Sequence, residues 1–167
     1  MNGTDVLEVI NQLEGAGVRV WLDGGWGVDA LLGRQTRAHE DVDLVVPRQE
    51  TSRAARALEV VGFEEDRDGK PGLPARLVLH DERGRRVDLH PVVLDSEGNG
   101  WQQLSDRAWG AYPAEDLTAT GEIDGQVVPC ISAELQLRHH LGYDWNERDR
   151  RDMGLLAQRF GLSLPPG

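Results

Sequence analysis

The chain has 167 residues, 39% of them hydrophobic and 28% charged, which suits one globular domain that buries its own core, with room for a small appended part. A net charge of −11 excludes bulk nucleic-acid binding, which needs clustered Lys and Arg, and a single Cys130 excludes an internal disulfide and a cysteine-based zinc cluster. With neither a basic start leading into an apolar run nor an apolar stretch of membrane-spanning length, a soluble cytoplasmic protein with no membrane partner is expected.

Thr4 reads as the N-cap of a first helix carrying Val6, Leu7, Ile10 and Leu13 at helical spacing, stopped by Gly15 and Gly17. Val18, Val20 and Leu22 alternate with Arg19 and Trp21 as a strand. Asp23-Gly24-Gly25 turns out of it into a short helix of about 26–32, ended by Gly33. A polar loop over 35–40 precedes a second strand, 41–46, broken by Pro47. Ala54, Ala57, Leu58 and Val61 mark a helix closed by Gly62, and 66–74 is loop-like. Segments 75–80 and 86–94 read as strands joined through Asp81-Glu82-Arg83-Gly84, whereas 96–115 gives no clear period. Asp124-Gly125 signals a hairpin between Glu122-Ile123 and Val127-Val128. Ser132 caps a helix through Leu135 and Leu141, and a last helix over about 148–160 turns Leu155, Leu156 and Phe160 toward the core. The sum is a mixed α/β (α+β) unit with a short helical C-terminal part.

Three features carry chemistry. Gly24 and Gly25 at a strand-to-helix junction let backbone approach a ligand, and amides opening the next helix can accept phosphate. Asp41 and Asp43, two apart on a strand, project together, leaving Val42, Leu44 and Val46 for the core. Paired carboxylates repel unless a cation lies between them, and hard oxygen donors of this kind suit Mg²⁺ held with substrate phosphates. In Arg86-Val87-Asp88-Leu89-His90-Pro91, Asp88 leaves the strand on the face opposite Val87 and Leu89. Beside the first acidic strand it becomes a third carboxylate, able to serve as metal ligand, general base or both. His139-His140 lacks the spacing of a metal pair, and the five tryptophans are mostly packing residues, with Trp101 and Trp109 the candidates for stacking on a ring ligand.

The run Gly24-Gly25-Trp26-Gly27-Val28-Asp29-Ala30-Leu31-Leu32-Gly33-Arg34, followed by Thr36-Arg37-Ala38-His39-Glu40-Asp41-Val42-Asp43-Leu44, resembles the signature of antibiotic nucleotidyltransferases. It is most similar to the aminoglycoside 2″-O-adenylyltransferases and small lincosamide nucleotidyltransferases of the polymerase-β-like superfamily. The likeness continues at Val87-Asp88-Leu89-His90-Pro91, at 123–130 and near His140-Leu141-Gly142-Tyr143. It implies a polymerase-β-like core with a mixed sheet flanked by helices over 1–94, and an acceptor-side extension with C-terminal helices over 95–167 in the same compact domain. By the same resemblance Asp41, Asp43 and Asp88 bind Mg²⁺, and Asp88 is the base that deprotonates the acceptor hydroxyl. Gly24 and Gly25 face the triphosphate, Arg37 and His39 contact phosphates, and Arg34 is a further candidate for that work.

The implied reaction moves a nucleoside monophosphate, AMP from ATP or its counterpart from another nucleoside triphosphate, onto a small antibiotic-like acceptor. The acids between Asp95 and Asp124, set against the one base Arg107, fit a cationic acceptor such as an aminoglycoside; lincosamides stay open. Two alternatives remain: a catalytically silent, antitoxin-like binding partner, and a nucleotidyltransferase with a protein acceptor. The short chain leaves a shallow acceptor cleft, which favours a homodimer.

Overall fold

The computed structural model describes residues 1–66, 72 and 74–164; most of the loop expected over 66–74 lies outside the described residues. Helix α1 (Gly3–Gly15) is capped two residues before the expected Thr4. Asn2 takes that role in a reciprocal box: its side chain accepts from the Asp5 amide at 2.9 Å, and Asp5 accepts from the Asn2 amide at 3.0 Å. Strand β1 (Trp21–Asp23) is shorter than the alternation suggested, although Val18 and Val20 ahead of it are buried. Helix α2 (Gly24–Leu32) begins at once, with Asp23 as N-cap accepting from the Gly24 amide at 2.7 Å and Gly33 closing it at φ 65°. The two glycines therefore form the first turn of a helix and are not a free loop.

Strand β2 (Val42–Pro47), helix α3 (Thr51–Glu59), a short β3 (Phe63–Glu65), β4 (Leu77–Asp81) and the nine-residue β5 (Arg86–Leu94) follow. The stretch that gave no period contains two more strands, β6 (Gly100–Gln103) and β7 (Trp109–Tyr112). A separate hairpin joins β8 (Thr120–Ile123) to β9 (Gln126–Pro129). Asp124 and Gly125 hold φ 48° and 82° at its turn, the positive pair that a tight primed turn requires. Helices α4 (Ala133–His139) and α5 (Glu147–Phe160) complete the chain. Among the described residues no helix is long and apolar enough to cross a membrane.

The sheet is mixed. β1 runs antiparallel to β2, β2 parallel to β5, and β5 antiparallel first to β4 and then, from Val92 onward, to β6. Its two faces differ. Leu22, Leu44, Val46, Val87, Leu89 and Leu79 pack against Val6, Ile10 and Leu13 of α1 and Leu58 of α3. The other face carries a smaller cluster, Val45, Val92, Tyr112, Leu117, Ile131 and Leu135, and leaves its remaining width to polar side chains. A third cluster, Val28, Ala133, Met153 and Leu156, ties α2, α4 and α5 together. Leu156 is fully buried as expected, but Phe160 is 40% exposed and Leu141 lies outside α4 and is 50% exposed. The inward positions of α5 are Asp152, Met153 and Leu156, because α5 packs on α2 and α4 through its middle.

Candidate active site

Strand register decides which side chains meet. Asp23 stands opposite Asp43 across β1 and β2, and Asp43 opposite Asp88 across β2 and β5. Register partners share a face, so three carboxylates form a row across three neighbouring strands. His90, two residues beyond Asp88, emerges on the same face, and ligand-capable atoms of Asp43, Asp88 and His90 all lie within 4.8 Å of one another. The expected pairing of Asp43 with Asp88 is therefore present. Asp41 sits immediately before β2, half-buried and outside that trio.

Charge crowding marks the row. Asp88 is 2% exposed, and its carboxyl is raised above the ordinary carboxylate range by burial and by the Asp43 charge, against the opposing pull of His90, Arg76 and Arg86. Arg76 donates to Asp88 Oδ2 at 2.8 Å, while Oδ1 is buried without a hydrogen-bond partner. Asp41 is likewise raised by burial and by Asp43. Burial pushes Asp23 up, but His139, the His90 charge and the Gly24 amide outweigh it and hold the carboxyl below its usual range. For His90 burial pulls downward, yet the hydrogen bond to Asp43 and the charges of Asp43, Asp23 and Asp88 leave it raised.

The glycines are dictated by what they touch. A Cβ on Gly24, which holds φ 57°, would lie 2.3 Å from Asp43 Oδ2. One on Gly25 would lie 2.4 Å from His39 Nδ1 and 2.7 Å from an Arg37 guanidinium nitrogen. Arg37 and His39 thus flank the Gly25 turn, and each also has a partner. Arg37 grips the buried Asp152 of α5 at 2.9 and 3.0 Å, and His39 Nε2 meets the buried Asp29 at 2.5 Å. Asp29 also accepts from the Thr36 amide and hydroxyl, so one buried carboxylate on α2 shapes the whole loop before β2.

Sequence reasoning missed the supports behind the row. Gln102 and Tyr112, from the unassigned stretch, reach into it from β6 and β7: the Gln102 amide nitrogen lies 3.0 Å from His90 Nδ1, and the Tyr112 hydroxyl lies 3.3 Å from Asp23. Tyr112 is held well above its usual pKa by burial and the Asp23 charge, so its hydroxyl stays a proton donor. The spacing that singled out Asp41 and Asp43 also applies to Asp88 and His90, and would have found the imidazole. Trp101 and Trp109 do not join the site. Adjacent to Gln102 or paired with Gln103, both turn to the opposite face, where Trp101 donates to Asp95 at 3.1 Å. They stay 42% and 48% exposed.

An orphaned buried oxygen on Asp88, crowded carboxylates and a glycine that leaves Asp43 Oδ2 uncovered suit a divalent cation with oxygen ligands. Comparison with known proteins places the chain in a family. The chain is 33% identical over 149 residues to a lincosamide resistance protein of Staphylococcus haemolyticus, covering 89% of this chain and 90% of that one. A 2''-aminoglycoside nucleotidyltransferase of Escherichia coli is 29% identical over 119 residues, covering 69% of this chain and 59% of that protein. The solved lincosamide antibiotic adenylyltransferase LnuA, in its lincomycin-bound form, superposes with a TM-score of 0.80 at 32% identity over 92% of this chain and 94% of that one. The fold is also that of ANT(2'')-Ia in complex with adenylyl-2''-tobramycin, with a TM-score of 0.72 at 21% identity over 95% of this chain and 89% of that one. The family model for aminoglycoside-2''-adenylyltransferase matches residues 5–156, and the chain belongs to that family of antibiotic nucleotidyltransferases.

Proposed function

We propose that this protein transfers AMP from ATP to a hydroxyl of a lincosamide-class antibiotic in the cytoplasm and releases pyrophosphate. The observation that carries the reading is Asp88 in register with Asp43, buried and with one carboxylate oxygen unpartnered. The acceptor hydroxyl attacks the α-phosphorus in line, its proton passes to the Asp88 carboxylate, and the bond to the pyrophosphate oxygen breaks. A carboxyl raised by burial and by a neighbouring carboxylate is a stronger base than an exposed one. Asp41, Asp43 and Asp88 would hold Mg²⁺, which supplies Lewis-acid polarisation of the phosphoryl group and neutralises charge on the leaving oxygens. Gly24 and Gly25 allow the triphosphate to approach backbone, with Arg37 and His39 beside it. Residues 95–164 form the acceptor side, and a homodimer would enclose it further.

The lincosamide acceptor is supported by the relative that matches this chain nearly end to end. The acidic run from Asp95 to Asp124 favours the second reading, a cationic aminoglycoside. Incubation with ATP, Mg²⁺ and a panel of both classes, followed by pyrophosphate release and product mass, separates them. A product heavier by one adenylyl group, absent with Asp43→Asn, is expected for a lincosamide. Reaction with aminoglycosides alone would select the second reading. Silence with every acceptor and with GTP, CTP and UTP would overturn the transfer.

A further inference from the structure

We propose that Gln102 locks His90 as its Nε2–H tautomer and thereby keeps the imidazole off the metal, making the carboxylate row selective for a hard, oxygen-seeking cation. The inference rests on the metal-site reading above and adds to it which cation the site rejects. His90 is placed like a ligand, within 4.8 Å of ligand-capable atoms of Asp43 and Asp88. A His and two carboxylates at that spacing would ordinarily suit zinc and its neighbours, for which imidazole is a favoured donor.

The hydrogen bonds behind His90 say otherwise. The Gln102 amide nitrogen lies 2.8 Å from the Ala75 carbonyl, which can only accept, so the NH₂ end of the amide must face that way. The same nitrogen lies 3.0 Å from His90 Nδ1 and directs its second N–H there. Gln102 Oε1, at the other end, lies 3.0 Å from the Tyr112 hydroxyl and accepts from it. Gln102 and Tyr112 are 6% and 3% exposed, so neither amide end has water as an alternative. His90 Nδ1 must then offer a lone pair, and the one proton of a neutral imidazole sits on Nε2. That nitrogen lies 3.1 Å from Asp43 Oδ1 and donates to it. Coordination through Nε2 would require its proton to move to Nδ1, against the Gln102 N–H. His90 is thus a positioning residue: it orients one oxygen of Asp43 and leaves the cation to carboxylate and phosphate oxygens.

Long-range proton–nitrogen NMR on the metal-free full chain, with His90 assigned through His90→Gln and the pH raised until its ring shifts stop changing, reads the tautomer of the neutral imidazole directly. Nε2–H is expected, and an Nδ1–H tautomer would overturn the lock. Calorimetry with Zn²⁺ and Mn²⁺ then reads selectivity. With Zn²⁺ bound, the same NMR measurement should still find the proton on His90 Nε2, since an imidazole held as a donor contributes no coordinate bond. Loss of the Nε2 proton on Zn²⁺ binding would show that His90 ligates and would overturn the proposal. Gln102→Glu reverses the lock by accepting from Nδ1–H, so Zn²⁺ affinity should rise about tenfold or more, and the gain should vanish in the double variant Gln102→Glu/His90→Gln. A gain that survives in the double variant would come from the added charge and would count against the lock. If the native chain bound neither ion, the carboxylate-site reading and the selectivity would both fall, while the tautomer measurement would still report on Gln102.

Discussion

Asp88 holds the sharpest conflict in the molecule, because the position that suits a base is poor for a resting carboxylate. With Asp88→Asn we expect transfer to fall by about 10²–10⁴-fold with nucleotide binding retained, measured as kcat against the ATP Kd. The same change should stabilise the metal-free protein. A carboxyl raised in the fold contributes stability that is present below its unfolded pKa and lost as pH rises through the folded value. Asp88→Asn should therefore melt above the native chain at pH 7, by about 2–4 °C for a difference near 1 kcal/mol, and the gap should narrow toward pH 4. An equal gap at both pH values would mean that Asp88 ionisation carries no such cost. At this scale the sequence was legible where strand alternation alone orders side chains, as at Asp43 and Asp88. It was silent on Asp23 as part of the row and on Arg76, Gln102 and Tyr112. Their partners lie 12 to 89 residues away and are chosen by register, which no local window contains.

Among the elements, close approach of backbones sets the hardest limits. A Cβ on Gly121 of β8 would lie 2.4–2.5 Å from the carbonyl group of Ala30 in α2, so Gly121→Ala must push the hairpin off that helix. We expect a loss of about 1–3 kcal/mol, read by denaturant unfolding, with unchanged stability counting against this contact. Gly24→Ala meets Asp43 itself and adds the strain of a positive φ, so it should abolish transfer more than it lowers Tm. Helices and the Asp124-Gly125 hairpin were legible because caps and turn residues act within a few positions. Strands β6 and β7 were not: at four residues each, with Trp101 and Trp109 outward and Gln102 inward, their polarity pattern runs opposite to that of a strand over an apolar core. The inward side serves the polar row, and only the tertiary structure shows it.

Across the whole molecule, the Arg37–Asp152 pair ties the loop before β2 to the last helix, with Asp152 93% shielded as a side chain. Asp152→Ala leaves Arg37 unpaired beside Gly25, and should lower stability by about 1–3 kcal/mol and raise the KM for ATP. An unchanged KM would remove the pair from nucleotide binding. The net charge of −11 gives a separate handle on the acceptor. If aminoglycosides are substrates, their KM should climb steeply as salt rises from low to physiological strength, whereas a lincosamide carrying fewer charges should respond little.

The parallel pairing of β2 with β5 has a kinetic side. Asp43 and Asp88 become neighbours only after the chain between them has folded back, and Asp23 reaches Tyr112 across 89 positions. Contacts of such long sequence separation form late, because loop closure precedes the reward. During refolding, the proposed cation site should therefore appear with the slowest phase, after helical signal has recovered. A manganese-sensitive probe and far-ultraviolet dichroism, followed in the same stopped-flow experiment, should rise out of step.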